Sequence, residues 1–220
     1  MFSTLIIPDV HGDLPTLKAL APAIDEADRV VMLGDLFDSF QPYDAEGICE
    51  WTLEHIYNPK FVFIHGNHDA HYFFNHPYFR CSGYQKVTQK LVDELLSTKE
   101  RRQFKLWTEV GPFTVSHAGF HDKTMRYKTP QDHETALDAA FNGMFHPLFM
   151  PGSARGGFGV GGVTWLDWQY EFQDLPKLPQ IVGHSRRDGI VRKKGRSYCI
   201  DSGLQAVCWV NGGDIEIVRV

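Results

Sequence analysis

Phe61-Val62-Phe63-Ile64-His65-Gly66-Asn67-His68-Asp69 begins as an apolar run with strand character and ends on a glycine followed by an amide, an imidazole and a carboxylate. The pattern recurs along the chain. Ser3 to Ile7 leads into Asp9-Val10-His11-Gly12, and Val30 to Leu33 leads into Gly34-Asp35-Leu36-Phe37-Asp38. Phe113 to Val115 leads into Ser116-His117-Ala118-Gly119, and Ile181-Val182 into Gly183-His184. Each segment reads as a buried strand ending in a metal-capable side chain, with glycine where backbone must turn or approach a ligand closely. In layered folds of strands and covering helices, sites gather beyond the carboxyl ends of the strands. These clusters are therefore predicted to converge.

The flanking sequence sets the fold class. Asp13 can cap a helix with Pro15 in its first turn and Leu14, Leu17, Leu20 and Ile24 as an apolar stripe. Further helices are predicted from about Asp44 to Tyr57, Gln85 to Leu96 and Asp132 to Phe145. Residues 71–84 read as irregular, and a substrate-specific insertion is placed at about 71–108. Short strands follow at Gly189 to Arg192, Ser197 to Ile200, Ala206 to Val210 and Asp214 to Val220, with Lys194-Gly195 and Asn211-Gly212-Gly213 as hairpin signals. Alternating strands and helices with an antiparallel C-terminal end define an α/β chain. Gly157, Gly159 and Gly162 match G-x-G-x-x-G, but no strand precedes them and no helix follows, so they read as a loop.

With 220 residues, 43% of them hydrophobic, the chain can bury a sizeable core, and candidate ligands running from Asp9 to His184 point to one domain over 1–220. A net charge of -5 argues against broad affinity for nucleic acid or acidic membranes. A phosphorylated small molecule, nucleotide or phosphoprotein remains as partner. Cys49, Cys81, Cys199 and Cys208 form no C-x-x-C pair and read as reduced, mostly buried thiols. No basic leader precedes the first apolar run and no stretch approaches membrane-spanning length, so the expected location is cytoplasmic. His55, His71, His76, His121, His133 and His146 read as ordinary core or solvated residues, although His71 and His76 follow the G-N-H-D loop, and Trp165, Trp168 and Tyr170 read as packing under a loop.

The strand ends suggest their chemistry. Asp9 and His11, two apart in chain leaving a strand, can face one side and hold one metal together. Asp35 has two oxygens and can bridge two cations, while Asn67, His117 and His184 supply neutral ligands to the second. Mixed oxygen and imidazole ligation without thiolate suits manganese, iron or zinc. A cation pair of this kind activates a bridging hydroxide for in-line displacement at phosphorus, which fits hydrolysis of a phosphate ester.

The motifs D-x-H-G at Asp9, G-D-x-x-D at Gly34, G-N-H-D at Gly66, S-H-A-G at Ser116 and G-H at Gly183 resemble those of the calcineurin-like metallophosphoesterases. With I-D-S-G at Ile200, the chain most resembles the compact bacterial and phage branch of the PPP phosphatases. The resemblance implies a four-layer αββα sandwich with two mixed sheets flanked by helices. It assigns Asp9, His11 and Asp35 to one metal, and Asp35, Asn67, His117 and His184 to the other. Manganese is the first choice, with iron, zinc, nickel and cobalt as alternatives. It makes His68 the proton donor to the leaving oxygen, oriented by Asp38.

Departures from that pattern bear on the substrate. PPP phosphatases place an arginine after the second aspartate of G-D-x-x-D, where this chain has Ser39. They carry a glutamate where it has Asp69, and a second arginine where it has Asp167. Arg155, Arg186 and Arg187 are the candidates to hold phosphate instead, with His71 a further candidate for substrate contact. The leading expectation is a phosphomonoesterase, including one acting on phosphoserine or phosphothreonine. A phosphodiesterase or nucleotide hydrolase is the enzymatic alternative, and a non-catalytic interaction module on the same fold the alternative from another class.

Overall fold

The computed structural model describes residues 2–39, 41–74 and 76–220, so Asn75, inside the stretch read as irregular, lies outside the described residues. The strands are β1 (Ser3–Ile7), β2 (Arg29–Met32), β3 (Phe61–Phe63), β4 (Trp107–Val110), β5 (Phe113–Ser116), β6 (Gln180–Val182), β7 (Arg192–Lys194), β8 (Ser197–Cys199), β9 (Ala206–Asn211) and β10 (Asp214–Arg219). The α-helices are α1 (Leu14–Ala19), α2 (Ala21–Glu26), α3 (Ala45–His55), α4 (Asn67–Phe73), α5 (Lys86–Leu95), α6 (Thr98–Arg101) and α7 (Pro130–Phe141).

Two mixed five-stranded sheets, ordered β10-β9-β1-β2-β3 and β4-β5-β6-β8-β7, are flanked by helices in a single α/β domain. Side-chain alternation builds the layers. Ile6, Val31, Leu33 and Ile64, in or directly after strands of the first sheet, meet Val115, Ile181 and Ile200, in or directly after strands of the second, between the sheets. Their neighbours Leu5, Ile7, Val30, Met32 and Phe63 turn the other way, onto Leu14, Leu17 and Ile48 of the helices. Each such side chain, fully removed from water, contributes about 1.5–3 kcal/mol. The outer face of the second sheet places Val182 and Cys199 against Leu166, Trp168 and Phe172 from turns that precede β6. Among the described residues no helix is long and apolar enough to cross a membrane.

Several elements differ from their predicted bounds for local reasons. The helix after Asp13 is two, meeting at Leu20, because Pro22 lacks the N–H that a continuous helix would need. Its predicted stripe still holds, with Leu14, Leu17, Leu20 and Ile24 all buried. α7 starts early on the Thr129 cap, which accepts from Asp132 N at 3.1 Å, and ends before Gly143, whose φ of +67° terminates it. Residues 187–190 form a turn rather than a strand, so β7 begins at Arg192. β8 also pairs in parallel with β6, so the C-terminal end is only partly antiparallel. β4 had no counterpart in the sequence reading. Helix α4 occupies part of the stretch read as irregular, and Asp69 starts it by accepting from Gly66 N at 3.0 Å.

Candidate metal centre and active site

The loops after β1, β2, β3, β5 and β6 converge, and the six candidate ligands meet there. Ligand atoms of Asp9, His11 and Asp35 lie within 4.8 Å of one another, as do those of Asp35, His117 and His184. Asp35 belongs to both sets, as a bridging carboxylate must. Asn67 Oδ1 sits 3.1 Å from His117 Nε2, which is 3.2 Å from His184 Nδ1. Asp9 Oδ1 is buried without a partner among the described residues. An unpaired buried carboxylate oxygen among converging imidazoles fits a divalent cation, because burial without a partner is otherwise costly.

The backbone is shaped around these groups. His11, Asp35, Asp38 and His184 all have positive φ, at 46°, 47°, 64° and 64°. His11 thus joins Asp9 through a left-handed turn, not through the extended chain expected from their spacing, since the chain must reverse to begin α1. Glycine is required where carboxylates are approached most closely. A Cβ on Gly66 would stand 2.1 Å from Asp35 Oδ1, and one on Gly183 would stand 2.0 Å from Asp9 Oδ1. His68 N donates to Asp35 Oδ1 at 2.8 Å, and His184 N to Asp9 Oδ2 at 2.9 Å. Asp69 ties the loops together: its carboxylate accepts from Asp35 N and Leu36 N, each at 2.8 Å, as well as from Gly66.

Protonation follows from this crowding. Burial alone would raise Asp35, but the charges of His117 and His68 outweigh it and hold the carboxyl well below its usual range. Burial, Asp201 and Asp35 push Asp9 well up. Burial and the neighbouring His117 charge push His184 well down, whereas Asp35 and Asp9 overcome burial and raise His117 to about 9. Carboxylates and imidazoles here compete for too few charges of opposite sign. Two dications would keep the carboxylates ionised and the imidazoles neutral.

His68 stands beside the first ligand set, its ring centroid 5.2 Å from that of His11. Its Nδ1 is 2.9 Å from Asp38 Oδ2, which leaves Nε2 as the ring atom free to give a proton. Burial would lower His68, but Asp35 and the Asp38 bond raise it well above the ordinary imidazole value. Asp38 in turn receives Tyr72 Oη at 2.5 Å, and the His68 bond with the neighbouring His71 overcomes burial to bring it to about 2. A pocket of about 310 Å³ opens over Asp35, His68 and His184, with Ser39, Arg155 and Arg186 also on its wall.

The other candidates divide. Arg155 Nε is 2.9 Å from Asp167 Oδ2, so the aspartate standing where an arginine was expected holds a different arginine at the pocket. Arg187 is exposed and lies off the pocket wall. His71 is wholly buried behind Asp38, with Nε2 in a close, off-axis contact at 2.7 Å from Asp38 Oδ2, so it does not face the pocket. Cys49, Cys199 and Cys208 are buried and pushed up to about 12. Cys81 is the exception. It is half-buried beside His71 and His68, whose bonds overcome burial and lower its thiol to about 7. Nothing in the spacing of the cysteines marked it.

The model of the calcineurin-like phosphoesterase family matches residues 2–185, and the chain belongs to that family, whose members hydrolyse phosphate esters at a dinuclear divalent-metal centre. No curated protein matches it in sequence. Among solved structures it resembles a cold-active protein-tyrosine phosphatase of a psychrophile Shewanella species, at 14% identity and a TM-score of 0.65 over 100% of this chain and 81% of that one. It also resembles a putative diadenosine tetraphosphatase, at 17% identity and a TM-score of 0.55 over 99% and 93%. A Saccharomyces cerevisiae protein serine/threonine phosphatase with similarity to human PP5 aligns at 15% identity and a TM-score of 0.54, over 99% and 80%. These likenesses are of fold.

Proposed function

We propose that this phosphoesterase cleaves phosphomonoesters, with measurable diesterase activity beside, and that His68 is its general acid. The observation that carries the monoester reading is Arg155, held by Asp167 on the wall of the pocket that Asp35, His68 and His184 also line, with Arg186 close by. A guanidinium fork suits a phosphate dianion, whose free oxygens outnumber those of a diester. Ser39, on the same wall, supplies no charge, which leaves room for a second ester group.

Asp9, His11 and Asp35 would hold one divalent ion, and Asp35, Asn67, His117 and His184 the other, manganese being the first choice for such oxygen and imidazole donors. When bound, the pair supplies Lewis-acid charge and lowers the pKa of water. Arg155 and Arg186 position the phosphate. His68 Nε2 gives its proton to the departing oxygen while Asp38 holds Nδ1 and stabilises the charged ring. All six ligands and the proton donor are retained, which tells against a non-catalytic module. The stretch 71–108 is proposed as the substrate-specific insertion, since Ser82 and Gly83 join the pocket wall. Four unpaired cysteines suit a cytoplasmic location.

The test is a panel of monoester, diester and anhydride substrates on the wild type and on Arg155→Ala. Loss of a charged hydrogen bond of about 1.5–3 kcal/mol should lower monoester kcat/KM about 10- to 100-fold and diester kcat/KM less. A wild type that prefers diesters or anhydrides, or equal losses on all substrates, would refute the monoester reading.

A further inference from the structure

We propose that Cys81, His71 and His68 form a separate, inhibitory site for a thiophilic divalent cation such as zinc, which shuts the enzyme off by taking its general acid. One ligand atom from each residue lies within 4.8 Å of the others. Cys81 Sγ is 3.2 Å from His71 Nδ1 and 3.8 Å from His68 Nδ1. Zinc bonds of about 2.3 Å to sulfur and about 2.05 Å to nitrogen imply tetrahedral sulfur-to-nitrogen edges of about 3.6 Å. The two observed edges bracket that value.

His71 is oriented for this role. Its Nε2 lies in off-axis contact with the Asp38 carboxylate at 2.7 Å, while its Nδ1 faces Cys81 Sγ and accepts from Cys81 N at 3.5 Å. The proton therefore belongs on Nε2 and the lone pair on Nδ1, toward the thiol. A carboxylate behind the far nitrogen is the usual support of a metal-binding histidine. The donor set also differs in kind from the dinuclear centre, which offers only oxygen and nitrogen. A thiolate with two imidazoles favours zinc, cobalt or copper over manganese. Cys81 is half-buried, so a cation reaches it from solvent.

Binding would displace the proton of His68 Nδ1 and compete with Asp38 for that atom, now 2.9 Å from the carboxylate. With a cation on Nδ1, giving up the Nε2 proton would leave an imidazolate instead of a neutral imidazole, a far weaker acid. Binding stands apart from the role proposed for His68; inhibition rests on it.

The experiment uses manganese-loaded protein. Cobalt(II) is added without substrate, and thiolate-to-cobalt charge-transfer absorption is followed in the near ultraviolet; zinc inhibition is then measured on a poor leaving group. The wild type should show the band, and Cys81→Ser should lack it, keep its basal turnover and need at least tenfold more zinc for half inhibition. No band in the wild type, or one that persists in Cys81→Ser, overturns the site. A band confined to the wild type with equal zinc inhibition of both proteins overturns the coupling to His68, leaving the monoesterase reading to its own test.

Discussion

His65 should make this protein acid-labile, and His65→Phe should remove that sensitivity. The ring is wholly buried among Phe73, Phe74 and Phe104, with centroids 5.2–5.7 Å away, and neither nitrogen has a partner among the described residues. Burial, with a smaller push from His133, lowers its pKa to about 3. The folded protein therefore resists a proton that the unfolded chain accepts near pH 6.5. Stability from this residue is intact above that value and declines as pH falls toward 3. At pH 5 the deficit amounts to about 2 kcal/mol. For a chain of this length that lowers Tm by about 4–8 °C between pH 7.5 and pH 5. The measurement is calorimetry or circular dichroism on wild type and His65→Phe at both pH values. Packing strain from the larger ring acts at both, so the difference of differences isolates the titration. If the two proteins lost the same Tm on acidification, His65 would not be held neutral by burial.

Asp35→Asn should lose both cations, because one carboxylate serves both ligand sets; two tightly bound ions by elemental analysis would refute the bridge. His68→Asn should lose about 10²- to 10⁴-fold in turnover while keeping its metals, with less loss for nitrophenolate than for alkyl leaving groups. Equal losses on both, with chemistry rate-limiting, would exclude proton donation. Ser39→Arg should shift the ratio of kcat/KM values toward monoesters, and an unchanged ratio with the arginine seen in the pocket would show that Ser39 does not widen the substrate range.

The strands that carry the candidate ligands were legible because each combines a short apolar run with a glycine and a polar cluster, and both faces of those strands proved buried. Half-exposed Trp107-Thr108-Glu109-Val110 has no such pattern. Helix α4 was hidden by its aromatic and histidine content, which carries no amphipathic stripe; only Gly66 and Asp69 marked its start. Arg155 comes from a glycine-rich loop, and its place depends on Asp167, whose partner twelve residues away no local pattern discloses. Cys81 likewise meets His71 and His68 through a fold-back of irregular chain. Residue chemistry at the strand ends was readable, whereas contacts made by loops returning to the site were not.

The left-handed backbone at His11, Asp35, Asp38 and His184 bears on how this centre can be dissected. An alanine there removes a functional group and also puts a side chain with no local hydrogen bonding into a conformation costing about 1–2 kcal/mol. An alanine scan would therefore mix misfolding of the loops with loss of chemistry and overstate the latter by up to about thirtyfold in apparent equilibrium constants. Asparagine tolerates this region, and glycine enters it freely. Paired asparagine and glycine replacements at each position form the informative mutational alphabet: the first retains the backbone geometry with a polar group, the second retains the geometry alone.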